Sequence, residues 1–144
     1  ERRIETTGQL ARLVEQASPG GGRRLHPATR VFQALRMAVN DELGSLRRGL
    51  AAVWATLRPS GRLVVITFHS GEVRVVKEFA RRLSRGYTVN GAVDVPELRR
   101  PCAPELRWVA RKAQNPSAAE CAANPRARSA QLRVFEKIYG TQST

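Results

Sequence analysis

The sequence predicts an α/β fold, and three observations carry the prediction. Leu63-Val64-Val65-Ile66 is a continuous apolar run, β-branched at three of its four places, as in a strand buried on both faces. A helical pattern precedes it and stops at Pro59-Ser60-Gly61, and a second follows the polar turn Thr67-Phe68-His69-Ser70. Helix, Pro-Gly turn, apolar strand and helix in that order make a crossover unit, which predicts a parallel sheet with right-handed connections.

In chain order, Thr6 and Gln9 have capping-box spacing, and Leu10, Leu13, Val14 and Ala17 follow at helical intervals, predicting a short helix over 8–17. The stretch SPGGGRR over 18–24 breaks it, because three consecutive glycines prefer no backbone conformation. It is a connector and a candidate boundary, dividing residues 1–24 from a main portion over 25–144. Between 28 and 57, Val31, Leu35, Val39, Leu43, Leu46, Leu50, Val53 and Leu57 recur at steps of three and four. That is one long amphipathic helix, or two coaxial ones broken near Asn40-Asp41 or Gly44. Pro27 stands just before it, where a missing N–H does no harm.

After the strand, a helix over 71–85 has Val73, Val76, Ala80 and Leu83 as its inner stripe and a basic outer side of Arg74, Lys77, Arg81, Arg82 and Arg85. Residues 87–104, with interspersed Pro and Gly, read as a loop. Residues 106–110 and 131–136 read as two further strands, joined through a helical turn at 117–123. No internal repeat is visible.

A chain of 144 residues suits one domain with a core of its own, and 42% hydrophobic content excludes wholesale disorder. No apolar run approaches the ~20 residues of a membrane span, and no apolar signal segment follows Glu1. Starting without Met inside a charged stretch, the chain reads as a fragment or processed product. Lys and Arg number 25 against 12 acids, a net charge of +13 carried mostly by Arg. Such a surface attracts polyanions, nucleic acid before membrane, and Arg favours RNA through bidentate phosphate contacts and stacking on bases. A high-GC genome spelling Arg wherever a base is tolerated is the plainer explanation. Two cysteines, Cys102 and Cys121, suggest a reducing, cytoplasmic compartment rather than a disulfide scaffold.

Three segments are candidates for chemistry. The turn carrying His69 and Ser70 offers N–H groups and hydroxyls to a ligand at the end of a strand. His69 can hydrogen-bond or stack on a base; Ser70 can equally do no more than cap the helix. Next to His26-Pro27-Ala28-Thr29-Arg30, the side chains of Arg30, Gln33, Arg36 and Asn40 fall at helical spacing, a face able to hold phosphate and read a base edge, or merely a solvated one. Asn124-Pro125-Arg126-Ala127-Arg128-Ser129 is a turn whose alternate arginines can clamp phosphates, or a plain basic loop. His26, His69, Cys102 and Cys121 have no metal-ligand spacing, and Gly20-Gly21-Gly22 follows no strand, so neither zinc nor a Walker loop is expected.

Three islands, HPATRVFQALRMAVNDEL, GRLVVITFHSGEVRVVKEF and NPRARSAQLRVFEKI, together resemble the C-terminal half of the bacterial ribosomal RNA small subunit methyltransferase H family, over nearly the whole chain. The resemblance implies a partial Rossmann-like, class I methyltransferase sheet, with residues 1–17 as the tail of an inserted helical subdomain. It implies S-adenosylmethionine as methyl donor, N4 of a cytidine in 16S rRNA as target, and the small ribosomal subunit as partner, without membrane or metal. It also implies a substrate pocket at His69, Ser70, Glu72 and Arg74, and RNA contacts at His26, Arg30, Gln33, Arg36, Asn40, Asn124, Arg126 and Arg128. After His-Ser the family usually shows Leu and then Glu-Asp-Arg. Here Gly71, Glu72, Val73 and Arg74 stand, so an acid is lost at Val73 while Glu72 and Arg74 remain as a candidate ion pair.

The family's Gly-rich cofactor turn, ending in Gly-Gly-His, and its Asp-containing segment are both absent from the chain. The resemblance therefore implies a chain that alone neither holds the cofactor tightly nor turns over. The alternatives are a non-catalytic RNA-binding or ribosome-associated remnant, and a generic basic α/β interaction module.

Overall fold

The computed structural model describes residues 3–18 and 26–138, so the Gly-rich connector lies, Ser18 apart, outside the described residues. The chain divides into two compact units, Glu1–Glu42 and Leu43–Thr144.

The first unit holds α1 (Thr7–Ala17) and α2 (Ala28–Val39), which pack on each other. Thr6 caps α1: its hydroxyl accepts the Gln9 N–H at 3.2 Å, and the Gln9 side chain accepts the Thr6 N–H in return. The periodic stretch over 28–57 is two helices. It breaks at Asn40-Asp41, where the Asn40 N–H closes on the Arg36 carbonyl at 3.0 Å, the Asp41 N–H closes on the Ala38 carbonyl at 3.4 Å, and Asp41 takes φ 46°, a left-handed turn that Asp tolerates.

The second unit holds the rest of α3 (Glu42–Thr56), then β1 (Arg62–Thr67), α4 (Ser70–Ser84), β2 (Tyr87–Val89), β3 (Arg99–Pro101), β4 (Leu106–Trp108), α5 (Ala118–Ala123) and β5 (Gln131–Lys137). Single 3₁₀ turns lie at Pro96–Leu98 and Pro125–Ser129. The turn from α3 into β1 needs a glycine: a Cβ on Gly61 would stand 2.7 Å from the Arg58 carbonyl oxygen.

The expected parallel sheet is not what forms. The order is β1-β5-β4, and both pairings are antiparallel, Leu63 opposite Phe135 and Trp108 opposite Phe135. The last strand among the described residues, β5, runs between the other two and takes one edge of each. The other edge of β1 pairs with no strand among the described residues.

The expectation that β1 is buried on both faces also fails, since helices cover only one. Leu63 and Val65 pack on the core and Thr67 is 2% exposed, whereas Val64 and Ile66 are 55% and 54% exposed on the opposite face. On that open face Glu136 of β5 lies opposite both Arg62 and Arg107 and bonds to both guanidinium groups, tying the three strands together. Arg107 foremost, then Arg62, hold its carboxyl below the usual carboxylate range.

The core gathers Leu50 and Trp54 of α3, Val75, Val76, Phe79 and Ala80 of α4, Leu106 of β4 and Phe135 of β5. Trp54 meets Phe79 edge-on at 5.8 Å, and Trp108 meets Phe135 edge-on at 5.0 Å. The inner stripe of α4 is thus centred on Val75 and Phe79 as well as Val76 and Ala80; Val73 and Leu83 are only half-buried at its margin. Lys137, 2% exposed, donates to the Trp54 carbonyl at 2.8 Å in the last turn of α3, where the helix end carries partial negative charge.

Residues 87–104, expected to be a loop, hold an antiparallel hairpin of β2 and β3, Thr88 opposite Arg100. Asp94 clamps it, accepting from Arg99 (2.8 Å), Tyr87 (3.1 Å) and Arg85 (3.2 Å), while both guanidinium groups lie over the Tyr87 ring. The Arg99 hydrogen bond, with help from Tyr87 and Arg85, holds the Asp94 carboxyl below its ordinary value of 3.8.

A carboxyl depressed by folding contributes stability above its unfolded value and loses it as pH falls through the depressed one. Amide protection in the hairpin is therefore expected to hold down to about the ordinary carboxylate value and to fall on further acidification. In Asp94→Asn it should be low throughout. Hydrogen exchange read by mass spectrometry across the pH range checks this, and protection equal in both proteins would count against the clamp.

Candidate functional site

The Thr67–Gln131 pairing fixes the geometry of the candidate site. The end of β1 and the start of β5 lie side by side, with the Thr67 hydroxyl donating to the Gln131 carbonyl at 3.3 Å. The turn into α4 and the turn out of Pro125–Ser129 therefore emerge at the same end of the sheet. Between them lies an open cleft of about 340 Å³ lined by Phe68, His69, Ser70, Val73, Ser129 and Gln131.

His69, not Ser70, caps α4. Its Nδ1 accepts the Glu72 N–H at 3.3 Å, and the Glu72 carboxylate accepts the N–H groups of Phe68 (2.7 Å) and His69 (3.2 Å). This reciprocal box satisfies three amides around the helix start and places a negative charge where the helix dipole favours it. Ser70 is the first helical residue and is exposed.

Because Nδ1 accepts, the ring proton belongs on Nε2. The Nε2 atom is buried without a hydrogen-bond partner; Glu72 Oε1 lies 3.4 Å away but out of hydrogen-bonding line. A buried donor left unmet is costly, and ligand sites are where such donors stand ready. Glu72 is engaged by the cap and does not pair with Arg74, which is exposed and has no ion-pair partner among the described residues. The candidate Glu72–Arg74 pair is corrected accordingly: in a helix these two positions do not face each other.

The Asn124 turn closes as its sequence suggests. Asn124 Oδ1 accepts the Arg126 N–H at 3.1 Å, Ala127 is 7% exposed, and Arg126 and Arg128 point outward without ion-pair partners among the described residues. In the sequence Ser129 falls in the Asn124 turn without a role of its own, and Gln131 is not singled out. Their only signal was position, at the end of the Asn-Pro turn and the first place of β5, and a polar Ser and Gln there look like ordinary turn residues.

The α2 candidates belong to the other unit. Arg30, Gln33 and Arg36 follow one another along α2 to Asn40 at its C-cap. Arg30 and Asn40 are exposed and Gln33 is half-buried. Arg36 is engaged: Nε and Nη2 reach the two oxygens of Glu42 at 2.7 and 3.2 Å. His26 uses both ring nitrogens, Nδ1 accepting the Ala28 N–H at 3.1 Å and Nε2 lying 2.7 Å from Glu15 on α1. It fastens α1 to the start of α2.

No group of three His, Cys, Asp or Glu side chains gathers among the described residues, and Cys102 and Cys121 are free thiols. No described helix is long and apolar enough to cross a membrane.

Comparison with known proteins places this geometry in a family. The chain is 52% identical over 137 residues to the ribosomal RNA small subunit methyltransferase H of Methylobacterium sp. (strain 4-46), covering 93% of the chain and 40% of that protein. It is 50% identical over 135 residues to the protein of the same name from Caulobacter vibrioides (93% and 43%), and 49% over 140 residues to that of Symbiobacterium thermophilum (96% and 43%). The chain thus spans 40% to 43% of the length of these relatives. The family model described as the MraW methylase family matches residues 1–138, and the chain belongs to that family.

Proposed function

We propose that this chain is the substrate-side portion of an S-adenosylmethionine-dependent methyltransferase that modifies N4 of a cytidine in 16S rRNA, on the small ribosomal subunit in the cytoplasm. The observation that carries the proposal is that His69, whose Nε2–H is buried without a hydrogen-bond partner, lines a cleft formed where β1 ends and β5 begins, so that a base must enter against the ring to reach it. Methylating an exocyclic amine is a displacement in which orientation and desolvation do most of the work. His69 suits that requirement, since it can donate to an acceptor on the cytosine edge while Ser70, Ser129 and Gln131 present further polar groups around the base. In this reading Asn124, Arg126 and Arg128, in the turn that leads to Ser129, and Arg30 and Gln33 on α2 with Asn40 at its C-cap hold the RNA, while His26 and Arg36 reach it only by giving up Glu15 and Glu42.

The described residues do not by themselves fit the cofactor. The cleft offers no free carboxylate to a ribose, because Glu72 is turned back onto the Phe68 and His69 amides, and no glycine-rich turn follows β1. Donor binding is assigned to the portion of the relatives that lies outside the match.

The test is reconstitution. Joined to the unmatched portion of the Caulobacter relative, in the order that protein carries it, the chain is expected to transfer methyl groups to small-subunit RNA; alone it should not. A folded, cofactor-binding fusion that leaves the RNA unmethylated would overturn the proposal.

Val73 favours a second reading, a non-catalytic RNA-binding remnant. It lines the cleft with an apolar side chain at the place where the family resemblance puts an acid. If the missing acid limits the chemistry, Val73→Asp in the fusion should raise methyl transfer by about 10²-fold or more, the range seen for one general base. An inactive fusion that Val73→Asp brings to life would mark the natural sequence as the remnant.

A further inference from the structure

The basic outer side of α4 is not used by the cleft. Val75, Val76, Phe79 and Ala80 are buried, so the opposite face of the helix is turned to solvent. Arg74, Lys77 and Arg81 follow one another along it with Arg82 beside them, the three arginines exposed and Lys77 half-buried. At 1.5 Å per residue the stretch from Arg74 to Arg82 covers roughly 12 Å. None of these four cations has an ion-pair partner among the described residues. Glu78, on the same side and four residues from both Arg74 and Arg82, pairs with neither. One end of the row follows Val73, which lines the cleft. The other reaches the hairpin, where Arg85 is held by Asp94 and Arg100 of β3 is exposed.

We propose that this face of α4 is a track for the phosphate backbone of the RNA strand flanking the target nucleotide, leading from the cleft toward Arg100. The proposal rests on the RNA-substrate reading above and extends it to residues that reading leaves idle. A row of unpaired cations on a rigid helix matches a linear polyanion. A helix that lies on a membrane must bury an apolar face in lipid, and the apolar face of α4 is already packed into the core.

The experiment measures binding of a fluorescent small-subunit rRNA fragment to the full chain across a salt series. In the variant Arg74→Gln, Lys77→Gln, Arg81→Gln, Arg82→Gln, helix propensity is preserved and circular dichroism checks the fold. Each phosphate contact on a single strand contributes about 0.7 to the slope of log affinity against log salt, so the slope should shrink by about 2 to 3. A control removing four exposed charges elsewhere, Arg47→Gln, Arg58→Gln, Arg111→Gln, Lys112→Gln, should shrink it by less than about 1. Equal slopes in the two variants would overturn the track.

Two further results separate this inference from the reading beneath it. Loss on changing Arg126 and Arg128 to Ala, with none on changing the α4 set, would remove the track and leave the RNA reading standing. No binding of the unsubstituted chain to the RNA at any salt would remove both. Tighter binding to phosphatidylserine vesicles than to RNA, abolished by the α4 set, would overturn the track in favour of a membrane.

Discussion

Phe135→Ala should cost about 3–5 kcal/mol of stability, the usual consequence of emptying a fully buried aromatic site. Phe135 is 0% exposed in the middle strand of the sheet, opposite Leu63 on one side and Trp108 on the other, and the Trp108 ring meets it edge-on. Truncation would remove contacts shared by β1, β4 and α4 at once. Because whole domains are stable by only about 5–15 kcal/mol, the variant should sit close to unfolding.

Phe68→Ala is the matched control, with the same chemistry at a position 54% exposed, and it should shift stability by less than about 1 kcal/mol. Urea unfolding of the 144-residue chain reads both. The expected outcome is a lower midpoint with an unchanged slope for Phe135→Ala and almost no shift for Phe68→Ala. Equal midpoints would mean that β5 does not organise the core.

The difference between these two phenylalanines shows what the sequence makes legible. The apolar run at 63–66 marks a strand because four consecutive β-formers are a local signal, and Pro59-Ser60-Gly61 marks its start for the same reason. Local signals also locate α4, the cap of α1 and the Asn124 turn. Which faces are covered is not local. Val64 and Ile66 look like core until β5, some 70 residues later, pairs with one edge of β1 and α4 covers only one face.

The hairpin escaped for a different reason. Its strands are three residues each and it is held by Asp94 bonding to Arg85, Tyr87 and Arg99, an arrangement of side chains with no periodic trace. In the site, His69 is legible as a candidate for ligand contact but not as a cap, because histidine is an uncommon N-cap and Ser70 beside it is a favoured one. Ser129 and Gln131 reach the cleft only through the Thr67–Gln131 register, a long-range pairing that nothing nearby in the chain announces.

The double role of His69 gives the sharpest expected result for function. One nitrogen holds the helix start, and the other carries the unmet proton. His69→Ala removes both, so in the methyl-transferring fusion it should lose about 1 kcal/mol of stability with the cap and about 10²-fold in rate with the donor. A loss of that size from one variant is ambiguous, since a frayed α4 would also displace the cleft wall.

His69→Asp resolves it. Aspartate is a favoured N-cap and its charge suits the start of a helix, although it now stands beside Glu72. The cap should therefore largely survive, while no N–H is left to donate to the base. If the donor matters, His69→Asp unfolds near the natural midpoint yet methylates as poorly as His69→Ala. If His69 serves only to position α4, His69→Asp recovers most of the rate, and the cytosine-holding role assigned to Nε2 is withdrawn.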